Sequence, residues 1–405
     1  MKLVGHKIIK NFRLDLIQDY CNNDNIMVFE KFMNNDTIDL TKKLIQFPSV
    51  TPIDAGIIDF LCEYLTPYGF KCKKLIFEDV TNLYARYGKG EPNFCFAGHT
   101  DVVPPGEGWS SDPFNAVIRD GMLYGRGASD MKAALAASIV ASIEFIKRDD
   151  FKGSISFLIT GDEEGVAKNG TVKVLEHLKK QNESLSDCIV GEPTCANNFG
   201  DIIKYGRRGS ISFALTVIGI QGHVAYPELA CNPINNLIKI LTDLKNQVLD
   251  RGNEDFDPSN LEITNITVDN KAGNMIPGKA KAIFNIRFNN IHSADSLTKM
   301  IENLCAKHSN NFILEPHLGA DAFVNSKESK VIQALRNAVT EVTGNIPVLS
   351  TTGGTSDARF IRDFCQVVEF GLINKTAHHV DEHVACQDIL HLKEIYLNVL
   401  EQYFV

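Results

Sequence analysis

Short apolar runs that break at a glycine and then deliver an imidazole or a carboxylate recur along this chain. Phe94-Cys-Phe-Ala reads as a buried strand; Gly98 releases the backbone, and His99 and Asp101 follow. The run 155–160 ends in Gly161-Asp162-Glu163-Glu164-Gly165, and Cys188-Ile-Val ends in Gly191-Glu192-Pro193. The apolar strand 366–370 leads through Gly371 to Ala377-His378-His379-Val-Asp381-Glu382-His383. Helical periodicity fills the intervals. Ile38, Leu40, Leu44 and Ile45 share one face until Pro48, and 54–67 is amphipathic. Strands are predicted at 70–77 and 82–87. An alanine-rich run at 131–147 has high helix propensity, and helices are predicted again at 328–343 and 387–402.

The pattern changes after Tyr205-Gly-Arg-Arg-Gly-Ser210. Strand 211–219, helix 233–248, strands 261–268 and 281–288, helix 294–308 and strand 311–317 follow. That βαββαβ order is the ferredoxin-like unit. It predicts an α/β protein in which a catalytic domain, 33–208 and 323–405, is interrupted by an inserted domain, 209–322. Residues 1–32, with the polar run Cys-Asn-Asn-Asp-Asn, form an extension of unknown role.

A chain of 405 residues exceeds what one core usually serves, which agrees with two domains. A net charge of -9 argues against a nucleic-acid surface. No apolar run approaches the ~20 residues of a membrane helix, and the polar N-terminus lacks a signal-peptide stretch. Ten cysteines show no Cys-x-x-Cys spacing, and Cys95 and Cys188 sit in apolar runs. These features predict buried thiols in a reducing cytosol.

One histidine beside one aspartate is ordinary. Here three strands each end in His, Asp or Glu, and a glycine-rich loop delivers Asp130. In open α/β sheets that edge is where sites are built. Asp101, two residues beyond His99, can orient its ring. Asp130 also stands where a plain N-cap of the alanine-rich helix would stand. Adjacent Glu163 and Glu164 point to different sides and can do different work. Imidazoles mixed with carboxylates suit zinc, cobalt or manganese, not an all-oxygen calcium cage. The donors exceed one zinc's needs, and two ions ~3.5–4 Å apart, bridged by one carboxylate, would use them. A carboxylate left unliganded could take a proton from water and return it to a leaving amine. The rival reading is a catalytically silent metal-binding scaffold, for which such a carboxylate has no use.

Gly98-His-Thr-Asp-Val-Val-Pro104, Gly125-Arg-Gly-Ala-Ser-Asp130-Met-Lys132, Asp162-Glu-Glu164 and Gly191-Glu-Pro193 together resemble the zinc aminopeptidase-like deacylase family. Gly219-Ile-Gln-Gly-His223-Val-Ala-Tyr-Pro227, Gly353-Gly-Thr-Ser-Asp-Ala-Arg-Phe360, Val368-Glu-Phe-Gly371 and the Tyr205–Ser210 motif resemble its desuccinylating members. The resemblance runs from about 36 to 400. It implies a central mixed sheet and an inserted domain that dimerises and acts as a lid. It implies that Asp130 bridges two zinc ions, with His99 and Glu192 on one and Glu164 and His378 on the other. Glu163 would be the general base and Asp101 the group that orients His99. His223 and Asn274 would reach the partner subunit's site, His223 serving the oxyanion. Arg207, Arg287, Thr355 and Ser356 would receive substrate carboxylates; Arg208 is equally a structural residue. The implied reaction is hydrolysis of N-succinyl-LL-2,6-diaminopimelate to succinate and LL-2,6-diaminopimelate, with acetylornithine deacetylation as the alternative. Asp381 departs from the family's His-x-x-Asn-Glu pattern, and neighbouring His379 leaves the ligand at 378 open to question.

Overall fold

The computed structural model describes residues 36–148 and 151–404. The extension 1–32 lies outside the described residues. An eight-stranded mixed sheet runs in the order Lys71–Phe77, Val80–Gly88, Ser154–Thr160, Asn93–His99, Asp187–Val190, Gln366–Glu369, Ile202–Lys204, Val348–Ser350. Its middle four strands are parallel, so their C-terminal ends share one edge. Asn93–His99 and Ser154–Thr160 are buried at every position, which is why neither alternates in sequence. Successive side chains leave opposite faces. Phe94 and Phe96 join the core beneath the helices Ala133–Arg148 and Cys386–Tyr403. Cys95 and Ala97 join a second core with Val174, Leu175 and Leu178 of the helix Thr171–Lys180. Cys95 and Cys188 are buried free thiols, as the sequence suggests.

A separate four-stranded antiparallel sheet has the order Asn260–Thr267, Lys279–Phe288, Gly209–Ile218, Phe312–Ala320. Alternate residues Phe213, Leu215, Phe284 and Ile286 point to one face. There they meet Leu237, Ile240 and Leu244 of Pro233–Asn246 and Leu297 and Ile301 of Ala294–Ala306. Both helices start on built caps. The Asn232 side chain accepts from Ile234 N with Pro233 at the first turn, and Ser293 and Ser296 form a capping box.

Two local readings change. The helix expected over 54–67 is Ile57–Leu65 followed by the tighter turn Thr66–Tyr68, because Pro67 cannot continue the ladder and Gly69 turns left-handed. Asp130 is not an N-cap. The regular helix starts at Ala133, and Asp130 has the non-helical angles φ -125° and ψ 95°. Its carboxylate is turned to two histidines instead of to helix N–H groups.

Candidate metal centre

The parallel strand ends bring four of the named groups together. His99 ends its strand fully buried, and its Nδ1 donates to the backbone carbonyl of Asp101 at 2.8 Å. That bond directs Nε2 into the centre, 3.1 Å from Asp130 Oδ1 and 3.8 Å from Glu192 Oε1. Asp101 therefore orients the ring mainly through its carbonyl; its carboxylate stands 3.7 Å from Nδ1. That carboxylate accepts from Glu163 N at 3.2 Å and Glu164 N at 3.0 Å, fixing the turn that presents both glutamates. His378 Nε2 lies 2.9 Å from Glu164 Oε1 and 3.4 Å from Asp130 Oδ2. It is this histidine, not His379, that meets the carboxylates. Asp130 thus faces one imidazole with each oxygen.

Close backbone approach underlies this layout. A Cβ on Gly98 or Gly191 would collide with Cε of Met131. Two bare strand ends let Met131 lie beneath them and carry Asp130 into the centre.

Charge is heavily concentrated. Burial pushes the Glu163 carboxyl up to about 8, with Asp357, Asp130 and Glu164 adding to the rise. Burial likewise raises Glu192, helped by Asp130 and Glu163. Hydrogen bonds to Asp130 and Glu164 carry His378 up to about 10. Burial opposes a charge on His99, yet the Asp130 hydrogen bond and the carboxylates of Asp101 and Glu192 lift it well above its ordinary value. Glu192 Oε1 is buried without a hydrogen-bond partner. A cluster of buried carboxylates with an orphaned oxygen fits divalent cations, which would supply the missing partner. Donor atoms of His99, Glu163 and Glu192 lie within 4.8 Å of one another, as do those of His99, Asp130 and Glu164. His99 belongs to both groups.

Several partners here were not singled out from the sequence. Arg126 and Glu382 form a buried ion pair beneath the centre, and Asp357 stands near Glu163. Arg207 is held by Glu369, to which its Nε donates at 2.9 Å and with which its Nη2 is paired. Ser356 Oγ donates to the same carboxylate at 2.7 Å, so both side chains expected to face substrate are already engaged. Gly353, at φ 107°, lets the loop press on the Arg207 guanidinium, which also donates to Thr352 O at 3.2 Å. Thr355 Oγ1 accepts from Arg359 at 3.3 Å. Arg287 is different. It lies half-buried, and burial and the neighbouring Arg208 charge lower the pKa of its guanidinium. Asp381, the departure from the family pattern, accepts from Ser110 N and Oγ through one oxygen, both at 2.9 Å. An asparagine carbonyl could do the same, and the extra charge lies near Arg119.

His223 and Asn274 are not among the donor groups of the cluster. Both are exposed: His223 lies on the two-stranded ribbon formed by Gly222–His223 and Met275–Ile276, and Asn274 immediately precedes its second strand. Val224 N donates to Asn274 O at 3.1 Å, and His223 Nδ1 accepts from Ala225 N at 3.0 Å.

The pattern of Peptidase family M20/M25/M40 matches residues 95–402. The chain belongs to Peptidase family M20/M25/M40. Among similar proteins, the succinyl-diaminopimelate desuccinylase of Pelagibacter ubique is 51% identical over 379 residues, 91% of this chain and 98% of that one. The protein of the same name from Ehrlichia canis is 50% identical over 376 residues, 91% and 98% of the two chains. Solved structures share the fold at much lower identity. An M20 family metallo-carboxypeptidase from Sulfolobus solfataricus aligns with TM-score 0.75 at 16% identity, covering 91% of this chain and 99% of that one. A dinuclear metal-binding M20 peptidase from Bacillus subtilis aligns at 0.68 and 16%, covering 93% and 100%.

Proposed function

We infer that this chain is a two-metal amide hydrolase that converts N-succinyl-LL-2,6-diaminopimelate and water to succinate and LL-2,6-diaminopimelate. It thereby serves lysine and cell-wall precursor synthesis in the cytoplasm. The observation that carries the reading is the shared carboxylate: Asp130 offers one oxygen to His99 and the other to His378. Asp130 would bridge the ions, His99 and Glu192 would hold one, and Glu164 and His378 the other. Zinc suits these donors best, with cobalt or manganese as substitutes. When bound, the ions acidify a water and polarise the amide carbonyl.

Glu163 lies beside this pair of positions, and its carboxylate is the one to spare. It takes a proton from the attacking water and hands it to the departing amine as the C–N bond breaks. The substrate class comes from the relatives at about 50% identity. The half-buried Arg287, which pairs with no carboxylate among the described residues, suits a substrate carboxylate. The protein works as a homodimer through the small sheet, with His223 and Asn274 acting on the partner's site. Ile220, Val224, Tyr226 and Leu229, all exposed beside His223, support such a covered face.

The test is an assay of chelator-stripped protein with zinc added back, on succinyl-diaminopimelate and on acetylornithine. Zinc-dependent cleavage of the succinyl substrate at far higher kcat/KM is expected. Preference for acetylornithine, or binding of zinc with neither substrate cleaved, overturns the reading.

A further inference from the structure

We propose that the buried Arg126–Glu382 pair is the positioning unit of this centre and aims Asp130 and His378 together; the proposal rests on the two-ion reading above. Asp130 has no helix to fix it, since the regular turns begin at Ala133. Glu382 does that work. Its Oε1 accepts from Ser129 N at 2.7 Å and Asp130 N at 3.0 Å, and its Oε2 from Gly127 N at 2.9 Å and Arg126 Nη1 at 2.7 Å. One carboxylate thus gathers three backbone N–H groups of the loop that carries Asp130.

The guanidinium works on the other side. Arg126 donates to the carbonyls of His379 at 3.2 Å, His378 at 3.5 Å, Pro105 at 3.2 Å and Pro104 at 3.4 Å. His378 has φ 63°, a left-handed conformation disfavoured for an L residue, so its loop needs such an outside hold. The planar fork also explains why arginine stands here: lysine could not span three loops. The guanidinium also lies over the Trp109 ring, 5.2 Å from ring centre to Cζ, a cation–π contact that adds to its hold. Both members are almost inaccessible to solvent. All the hydrogen bonds of their two side chains end within four residues of Asp101, Asp130 or His378, where a pair serving general stability would have no reason to concentrate.

Metal-stripped full-length protein is titrated with zinc against a chromophoric chelator, and the visible spectrum of the cobalt-loaded form is recorded. The variants are Arg126→Lys, Glu382→Gln, His378→Ala and the Arg126→Lys/His378→Ala double. Arg126→Lys is expected to weaken one ion ~10–100-fold, the range for groups that orient metal ligands, and to change the cobalt spectrum. Glu382→Gln should weaken both ions, because Asp130 serves both; if it does not fold, Glu382→Asp takes its place. In the His378→Ala background, Arg126→Lys should add no more than about twofold, because its effect passes through the missing histidine. Folded Arg126→Lys with both affinities and the cobalt spectrum unchanged overturns the proposal. Full additivity in the double variant also overturns it, since that is the mark of a purely structural role. Parent protein that binds fewer than two zinc ions sinks the two-ion reading itself, whereas two ions in the parent with unchanged variants sinks only the positioning role.

Discussion

Glu163 and Glu164 are neighbours in unlike surroundings, and the division of work proposed for them rests on that difference. Glu164 meets His378 at 2.9 Å, whereas Glu163 has burial and three carboxylate neighbours that hold its proton up to about 8. A group poised that way is suited to accept and release a proton near neutral pH, and nearby cations would ease its ionisation. Glu163→Gln should leave two zinc ions bound and lower kcat by at least ~10²-fold. Near-normal kcat at full metal content would remove Glu163 from proton transfer. The strand-end spacing made these side chains legible, because glycine followed by His, Asp or Glu can be read directly. The role of the Asp101 carbonyl could not be read, since a backbone acceptor leaves no residue type behind. Nor could the pairing of Arg126 with Glu382, which are joined by folding across 256 positions of sequence.

The strands and helices themselves were largely foreseen, because each buried face keeps its period: the expected strand 94–98 is Asn93–His99, and the expected helix 328–343 is Lys330–Thr343. What periodicity cannot report is which charged ends of two elements meet. Arg207, at the end of the short strand Gly206–Arg207, was expected to receive a substrate carboxylate. It is paired with Glu369, at the end of Gln366–Glu369, with Ser356 on the same carboxylate. Removing Arg207 would strand a buried charge, so its loss would report damage as well as recognition. Arg287, on Lys279–Phe288, gives the cleaner experiment. Arg287→Met should raise KM for the succinylated substrate ~10–100-fold, the scale of a lost charge-assisted bond of about 1.5–3 kcal/mol. Thermal stability should barely fall. An unchanged KM would show that the substrate carboxylate is read elsewhere.

A complete site needs more than one chain if His223 is to reach it. In its own chain His223 is exposed, with a local bond to Ala225 N and Tyr226 packed 5.7 Å away between ring centres. Asn274 stands beside it, immediately before the second strand of the ribbon, so whatever carries one residue to a partner's site carries both. Exposed Ile220, Val224, Tyr226 and Leu229 around them would be costly in a monomer and useful in an assembly. Complementation separates the alternatives. Glu163→Ala and His223→Ala proteins, each inactive alone, are mixed and allowed to exchange subunits. In a mixed dimer one site combines intact Glu163 from its own chain with intact His223 from the other, while the opposite site lacks both. Random exchange makes about half the dimers mixed, each with one complete site, so activity should return to about a quarter of the parent's. If His223 serves its own chain, every site in the mixture lacks one residue or the other. Exchange verified by two different affinity tags, with no activity recovered, would then exclude the cross-subunit role and leave the metal centre as described.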